Sequence, residues 1–192
     1  MKKTTIVSIL SITITFIVFL CAYYGLGTFL LIKSDIHDLV RHSYNHDSGG
    51  FPLYPKGIAE FYLFKFRGHE DDLASLKSGK GLGYILALSN DNESNKTIQY
   101  LQFFLNKGFN INSIDGDGFS ALHKAVLYNK TKSVDFLLSK SANPEVSIDM
   151  RDHSARVGVD PIDRLNALEY AIYLTEEENQ DRSAIIAMLT TP

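Results

Sequence analysis

Few residues in this chain have the types and spacing that chemistry requires. His37, His42 and His46, interleaved with Asp38 and Asp47, are the densest set of potential metal donors. His42 and His46 are four apart and would share a face if that stretch were helical. A zinc-type site needs four ligands, or three and an open position. Nothing downstream supplies an obvious third and fourth, so the stretch reads as a hydrated linker and no metal site is assigned. Asp115 and Asp117 could pair for acid–base work, but they alternate with Gly116 and Gly118, which makes them turn residues. Glu176, Glu177 and Glu178 read as a solvated turn between helices. The single cysteine, Cys21, excludes a disulfide framework and a cysteine-based zinc finger. Nucleophile elbow, P-loop, H-E-x-x-H and dinucleotide fingerprints are all missing. Three N-x-(S/T) triplets begin at Asn92, Asn95 and Asn129, and matter only in a eukaryotic secretory setting. No catalytic residue, no metal and no cofactor is assigned.

The composition agrees with a non-catalytic reading without demanding it. The chain has 192 residues, 45% hydrophobic and 21% charged, with 19 Lys+Arg against 22 Asp+Glu. Disorder and a fibrous repeat do not fit. A formal charge of −3 argues against a nucleic-acid partner.

The apolar residues are unevenly placed. Residues 6–32 carry no charge and follow Lys2 and Lys3. A bilayer core of roughly 30 Å needs about 20 helical residues, so this run can span it. Tyr23 and Tyr24 are expected near the headgroups. A cleaved signal peptide is the rival, but its apolar region is usually about 7–15 residues. Lipoprotein processing at Cys21 is rejected, because Leu20 is too large for the position before the cysteine. Lys2 and Lys3 favour a cytoplasmic N-terminus, with Lys33 and Arg41 weakening that bias. The expected division is a cytoplasmic 1–5, a transmembrane anchor at 6–32, a juxtamembrane linker at 33–56 and a helical domain at 57–192. Ser34 and Asp35 are expected to cap a short extension of the anchor. Gly49, Gly50, Pro52 and Pro55 end it.

Beyond residue 57 the chain repeats. Residues 115–146 read as a turn, a short helix, a tight turn and a second helix. Ser120 is the expected N-cap. Ala121, Leu122 and Ala125 give the first helix an apolar face, and Val134, Leu137 and Leu138 give the second one. Such a pair cannot bury both faces alone and needs neighbours stacked on it. The stretch resembles an ankyrin repeat. Asp115 and Gly118 open the pattern, and Ser120, Ala121, Leu122 and His123 stand for T-P-L-H. Ala125, Val134, Leu137, Leu138, Ala142 and Asn143 complete it. Asn129 and Ser141 stand where the family has glycine, and asparagine tolerates the left-handed backbone. The resemblance implies that His123 bonds backbone groups between turns.

Upstream, Leu101, Phe104, Leu105, Gly108, Asn110 and Asn112 resemble the end of another repeat. Gly108 precedes Ser141 by 33 residues, the family period. Its first helix is expected at 82–88, followed by an enlarged polar turn at 91–96. Residues 58–66 and 67–79 supply an aromatic-rich first unit. Downstream, Asn166, Ala167, Leu168, Glu169 and Ala171 open a fourth. Leu122 and Leu168 are 46 residues apart, which places an enlarged finger loop at about 147–163. The last helix is expected at 183–189. The fold class is therefore all-α, an ankyrin-repeat solenoid of about four helix pairs behind one N-terminal transmembrane helix.

The resemblance implies a protein-binding scaffold with a concave face and projecting fingers. Asp117, Phe119, Lys124 and Tyr128, with Gly116, are the residues of the matched repeat taken as free of core duty. Phe119 is expected to be exposed at its turn or packed on a neighbouring finger. Arg151 and Arg156, with Asp152 and His153, are contacts on the enlarged loop. The first functional reading is an immunity protein at the bacterial inner membrane, with its C-terminal domain in the periplasm, neutralising a secreted toxic effector. The rival is a membrane-tethered scaffold or regulator of a resident envelope protein.

Overall fold

The computed structural model describes residues 2–44, 54–55, 57–89, 94–149, 164–178 and 180–190. The chain divides into two compact units, Met1–Arg67 and Gly68–Pro192.

The first unit opens with helix α1, Lys2–Lys33. At 1.5 Å per residue its 32 residues extend about 48 Å. Its segment Ser11–Lys33 is long and apolar enough to cross a membrane. Isoleucines, phenylalanines, leucines and Val18 stand exposed along it, which in water would be a large uncovered apolar surface. The short helical extension expected past the anchor forms as a helix of its own. Ser34 Oγ donates to Leu31 O at 2.7 Å, and Asp35 Oδ1 accepts from the Asp38 backbone N–H at 2.8 Å, so Asp35 caps a separate helix. This helix, α2 (Ile36–Tyr44), buries Ile36, Leu39, Val40 and Tyr44. It packs against α3, Ile58–Phe66, which buries Ala59 and Leu63. Residues 36–44, inside the expected linker of 33–56, are thus helical, and their apolar spacing at i, i+3 and i+4 finds a partner in α3.

The second unit contains α4 (Glu70–Ser78), α5 (Gly83–Leu88), α6 (Ser94–Asn106), α7 (Ala121–Leu127), α8 (Thr131–Ser139), α9 (Ala167–Glu178) and α10 (Ser183–Thr190). Helices α5 and α6, α7 and α8, and α9 and α10 pack as pairs. The first members also touch in sequence, α5 on α7 and α7 on α9. So do the second members, α6 on α8 and α8 on α10. Two rows of helices result, the layering that pairs unable to bury themselves must adopt. The core between the rows holds Ile85, Leu86, Leu101, Phe104, Leu122, Val126, Val134, Leu137, Ala171 and Ile185. Each buried aliphatic of this size contributes about 1.5–3 kcal/mol.

Local signals set the helix ends. Ser120 Oγ accepts from the His123 backbone N–H at the start of α7. At α9, Asn166 and Glu169 form a reciprocal capping box, 2.8 and 2.9 Å. Three helix-ending turns close with the same pair of backbone bonds around a left-handed residue. Gly108 (φ 94) does this after α6, Asn129 (φ 52) after α7 and Ser141 (φ 64) after α8. Two boundaries differ from expectation. Ser94 to Lys96 already belong to α6, and Glu176 to Glu178 continue α9 rather than forming a turn. In both places the residues following or preceding supply a continuous helical run that absorbs them.

The enlarged finger begins as a ribbon: β1 (Ile148–Asp149) pairs antiparallel with β2 (Arg164–Leu165), Ile148 opposite Leu165. Its tip lies outside the described residues.

Candidate functional site: the first-helix row and its fingers

The finger before α7 is a turn held from both sides. Within it, Asp115 Oδ1 accepts from the backbone N–H of Phe119 at 2.9 Å and of Asp117 at 3.0 Å, and Gly118 takes φ 87. Burial pushes the Asp115 carboxyl upward, against the pull of the Phe119 N–H, Lys124 and the Asp117 N–H. From the preceding turn, Gly79 O accepts from Gly116 N at 2.6 Å. A Cβ on Gly116 would stand 2.1 Å from Ser78 O, so this position admits glycine alone without backbone movement. Gly116 is therefore a structural residue, not a free contact.

Lys124 is corrected in the same way. Its residue is 6% exposed. The stem passes Gly83 of α5, where a Cβ would fall 2.6 Å from Lys124 Cγ. The ammonium reaches Asp117 Oδ2 at 2.9 Å and lies 4.5 Å from the Phe119 ring centroid. Lys124 thus braces the finger from the helix behind it. Its aliphatic stem can be buried because the charged end finds both a carboxylate and a π face.

Phe119 is partly covered. Its ring lies 6.0 Å from that of Tyr170 on α9, so it packs on the next first helix rather than standing free. Asp117 keeps its side chain 45% exposed. Tyr128, at the end of α7, is 36% exposed, and Ile172 on α9 is 42% exposed. The structure therefore leaves Asp117 and Tyr128 accessible, with Phe119 half-buried. Arg151, Asp152, His153 and Arg156 lie outside the described residues.

His123 is fully buried. Its Nε2 faces Leu165 O at 3.3 Å and its Nδ1 faces Ser120 Oγ at 2.7 Å. A carbonyl only accepts, so Nε2 carries the proton and Nδ1 accepts from the hydroxyl. Burial lowers its pKa to about 4, with the Leu165 carbonyl opposing. The residue is a neutral strut between α7 and the base of the next finger, as the T-P-L-H resemblance implied.

Two contributors escaped the sequence reading. Tyr170 joins the rings of Phe119, His123 (5.7 Å) and Tyr173 (6.5 Å) between successive fingers. Arg182 is 1% exposed and donates to three carbonyls: Val126 O at 3.2 Å, Leu127 O at 3.3 Å and Leu174 O at 3.1 Å. It thereby satisfies two C-terminal carbonyls of α7 from the segment that joins α9 to α10. An arginine four residues past a glutamate run carries no sequence signal for such burial.

Of the histidines in the first unit, His37 and His42 lie on α2 and His46 lies outside the described residues. His42 meets the Tyr54 ring edge-on at 5.7 Å. Burial, with Arg41 beside it, lowers the His42 pKa against the effect of Asp38. Among the described residues no cluster of His, Cys, Asp and Glu has the geometry to hold a metal.

The family model described as ankyrin repeats (many copies) matches residues 93–138, which comprise α6, the finger, α7 and all but the last residue of α8. The pairs on either side reproduce the packing of the matched one, so the described helical stack is an ankyrin-type fold. No curated protein matches the chain, and no solved structure does. Ankyrin repeats imply a protein-interaction module in general terms.

Proposed function

We propose that this chain is a non-catalytic module that binds one protein partner through its first-helix row and fingers while tethered to a membrane by residues 6–32. On this reading residues 1–5 lie in the cytoplasm of a bacterium. Residues 33–56 and 57–192 lie beyond its inner membrane, in the periplasm. The observation that carries the reading is the finger of residues 115–119, fixed by Gly79 in front and Lys124 behind. A recognition surface built on a braced turn loses little entropy on binding. On the same row stand Tyr128, at the opposite end of α7 from the finger, and Ile172 on α9, exposed side chains able to anchor an interface. The partner we propose is a toxic effector delivered to the periplasm, whose active site the row and fingers occlude. An apolar N-terminal helix and a surface of irregular repeats support that role.

The test is a mild-detergent pull-down of the full-length protein from its own cells. A single stoichiometric partner that kills cells when exported without this protein is the expected result. A resident, harmless envelope partner favours the scaffold reading instead. Tyr128→Asp and Ile172→Asp are expected to reduce capture each by about tenfold or more, as loss of an interface anchor does. Undiminished capture by both folded variants would sink the surface assignment. Phe119→Asp is not suitable, since it would also break the packing on Tyr170.

A further inference from the structure

We propose that α3 is an interfacial helix, whose aromatic face lies in the lipid headgroup region beside the end of α1. The inference rests on the membrane reading of α1. Helix α3 is apolar on both sides. Ala59 and Leu63 are fully buried, and α3 packs on α2 and on α1. On the other side Phe61 is 57% exposed and Phe66 48%. Their rings touch edge-on at 6.0 Å, and Tyr62 meets Phe66 at 5.3 Å. Two exposed aromatic rings in contact, with the half-buried Tyr62 against one of them, form on this helix of 9 residues a surface that water does not favour.

The position of this surface argues for lipid. Arg67, just past α3, donates to Ser34 O at 3.0 Å, which ties the end of α3 to the end of α1. In α1, Gly27 and Leu31 are buried. Leu26, Phe29 and Leu30, between and beside them, remain more than half exposed. The apolar surface of α1 thus continues past Tyr23 and Tyr24 to the end of the helix. The rings of α3 are held alongside that end. Aromatic residues are enriched at this depth because a ring accepts both the acyl chains and the headgroups. Lys65, exposed and four residues from Phe61, shares its face. Its stem can lie along the apolar layer with the ammonium among lipid phosphates.

The chain contains no tryptophan, so one introduced indole reports a single site. Full-length Phe61→Trp, Phe66→Trp and Phe16→Trp proteins would be reconstituted separately into phosphatidylcholine–phosphatidylglycerol vesicles. The lipids would be brominated near the headgroup or near the chain ends. Loss of Phe61→Trp and Phe66→Trp emission in the shallow-brominated vesicles, with Phe16→Trp quenched by the deep bromines, is expected. If Phe16→Trp is quenched and the α3 indoles keep full emission open to aqueous iodide, α3 is not interfacial although α1 is in the membrane. If those indoles are shielded from iodide yet untouched by bromine, a protein covers them, and the proposal fails equally. If no position is quenched by either lipid, the membrane reading itself is overturned, and this inference with it.

Discussion

Lys124 on α7 places its ammonium 2.9 Å from Asp117 at the tip of the preceding finger, under the ring of Phe119. A residue read as a free contact is thereby the brace of the finger it was expected to accompany. The pair is asymmetric: the lysine is buried and the aspartate half-exposed. Most of the lysine's value then lies in its packed stem, since a carboxylate open to water screens the attraction. Lys124→Met keeps the stem and is expected to change stability by less than about 1 kcal/mol. Lys124→Ala opens a gap beside Gly83 and is expected to cost about 2–3 kcal/mol. Urea unfolding of the two variants measures this. Equal losses would show that charge, not packing, holds the finger.

His123 makes folding pH-dependent. Its pKa is about 4 when folded and 6.5 when exposed. Between those values the unfolded chain binds the extra proton, so stability rises with pH there. The contribution is complete above pH 6.5, falls as the pH drops towards 4, and changes no further below that. Its size is at most about 3 kcal/mol. Denaturation midpoints measured from about pH 7 down to about pH 4 should show this decline. The variant His123→Gln should be less stable at neutral pH but flatter across the window. A variant with an unchanged slope would assign the effect to other groups.

Arg182 joins three backbone carbonyls on two helices. Truncation leaves those carbonyls without the guanidinium in a buried place. Arg182→Ala is therefore expected to cost about 3–5 kcal/mol. Arg182→Lys, with one ammonium for three acceptors, should recover only part of that. Thermal unfolding that shifts by no more than a surface substitution would contradict the assignment.

Ser141 and Asn129 both adopt positive φ, at 64° and 52°, where the resemblance has glycine. Serine in this region bears a strain of about 1–2 kcal/mol, and glycine returns part of the gain through its freer unfolded chain. Ser141→Gly is expected to stabilise by about 0.5–1 kcal/mol. Asn129 differs, because its Nδ2 donates to Asp181 O at 3.1 Å. Asn129→Gly gives up that bond and is expected to bring no gain. A matched pair of chemical denaturation curves distinguishes the two positions.

The repeated helices were legible in the sequence because short-range features determine them. An N-cap serine, an apolar stripe at helical spacing, a left-handed turn and a second stripe all lie within a few residues of one another. Helices near 82–88 and 183–189, and the structural role of His123, were placed by the resemblance; the helix at 58–66 forms as expected but packs on α2 in the first unit. The apolar N-terminal helix was equally plain, since an uncharged run of that length needs no partner to be recognised. The accessible surface was not legible. Whether Lys124 points to solvent or along Gly83, whether Gly116 has room for a side chain, and whether Phe119 is free depend on backbone and rings from other turns. Arg182 reaches carbonyls more than fifty positions back along the chain. Residues 36–44 look like a linker until α3 covers their apolar face. Local pattern decided which elements form, because capping and turn energies act between neighbours. Tertiary structure decided which side chains remain available to a partner, because burial depends on what the stack brings alongside.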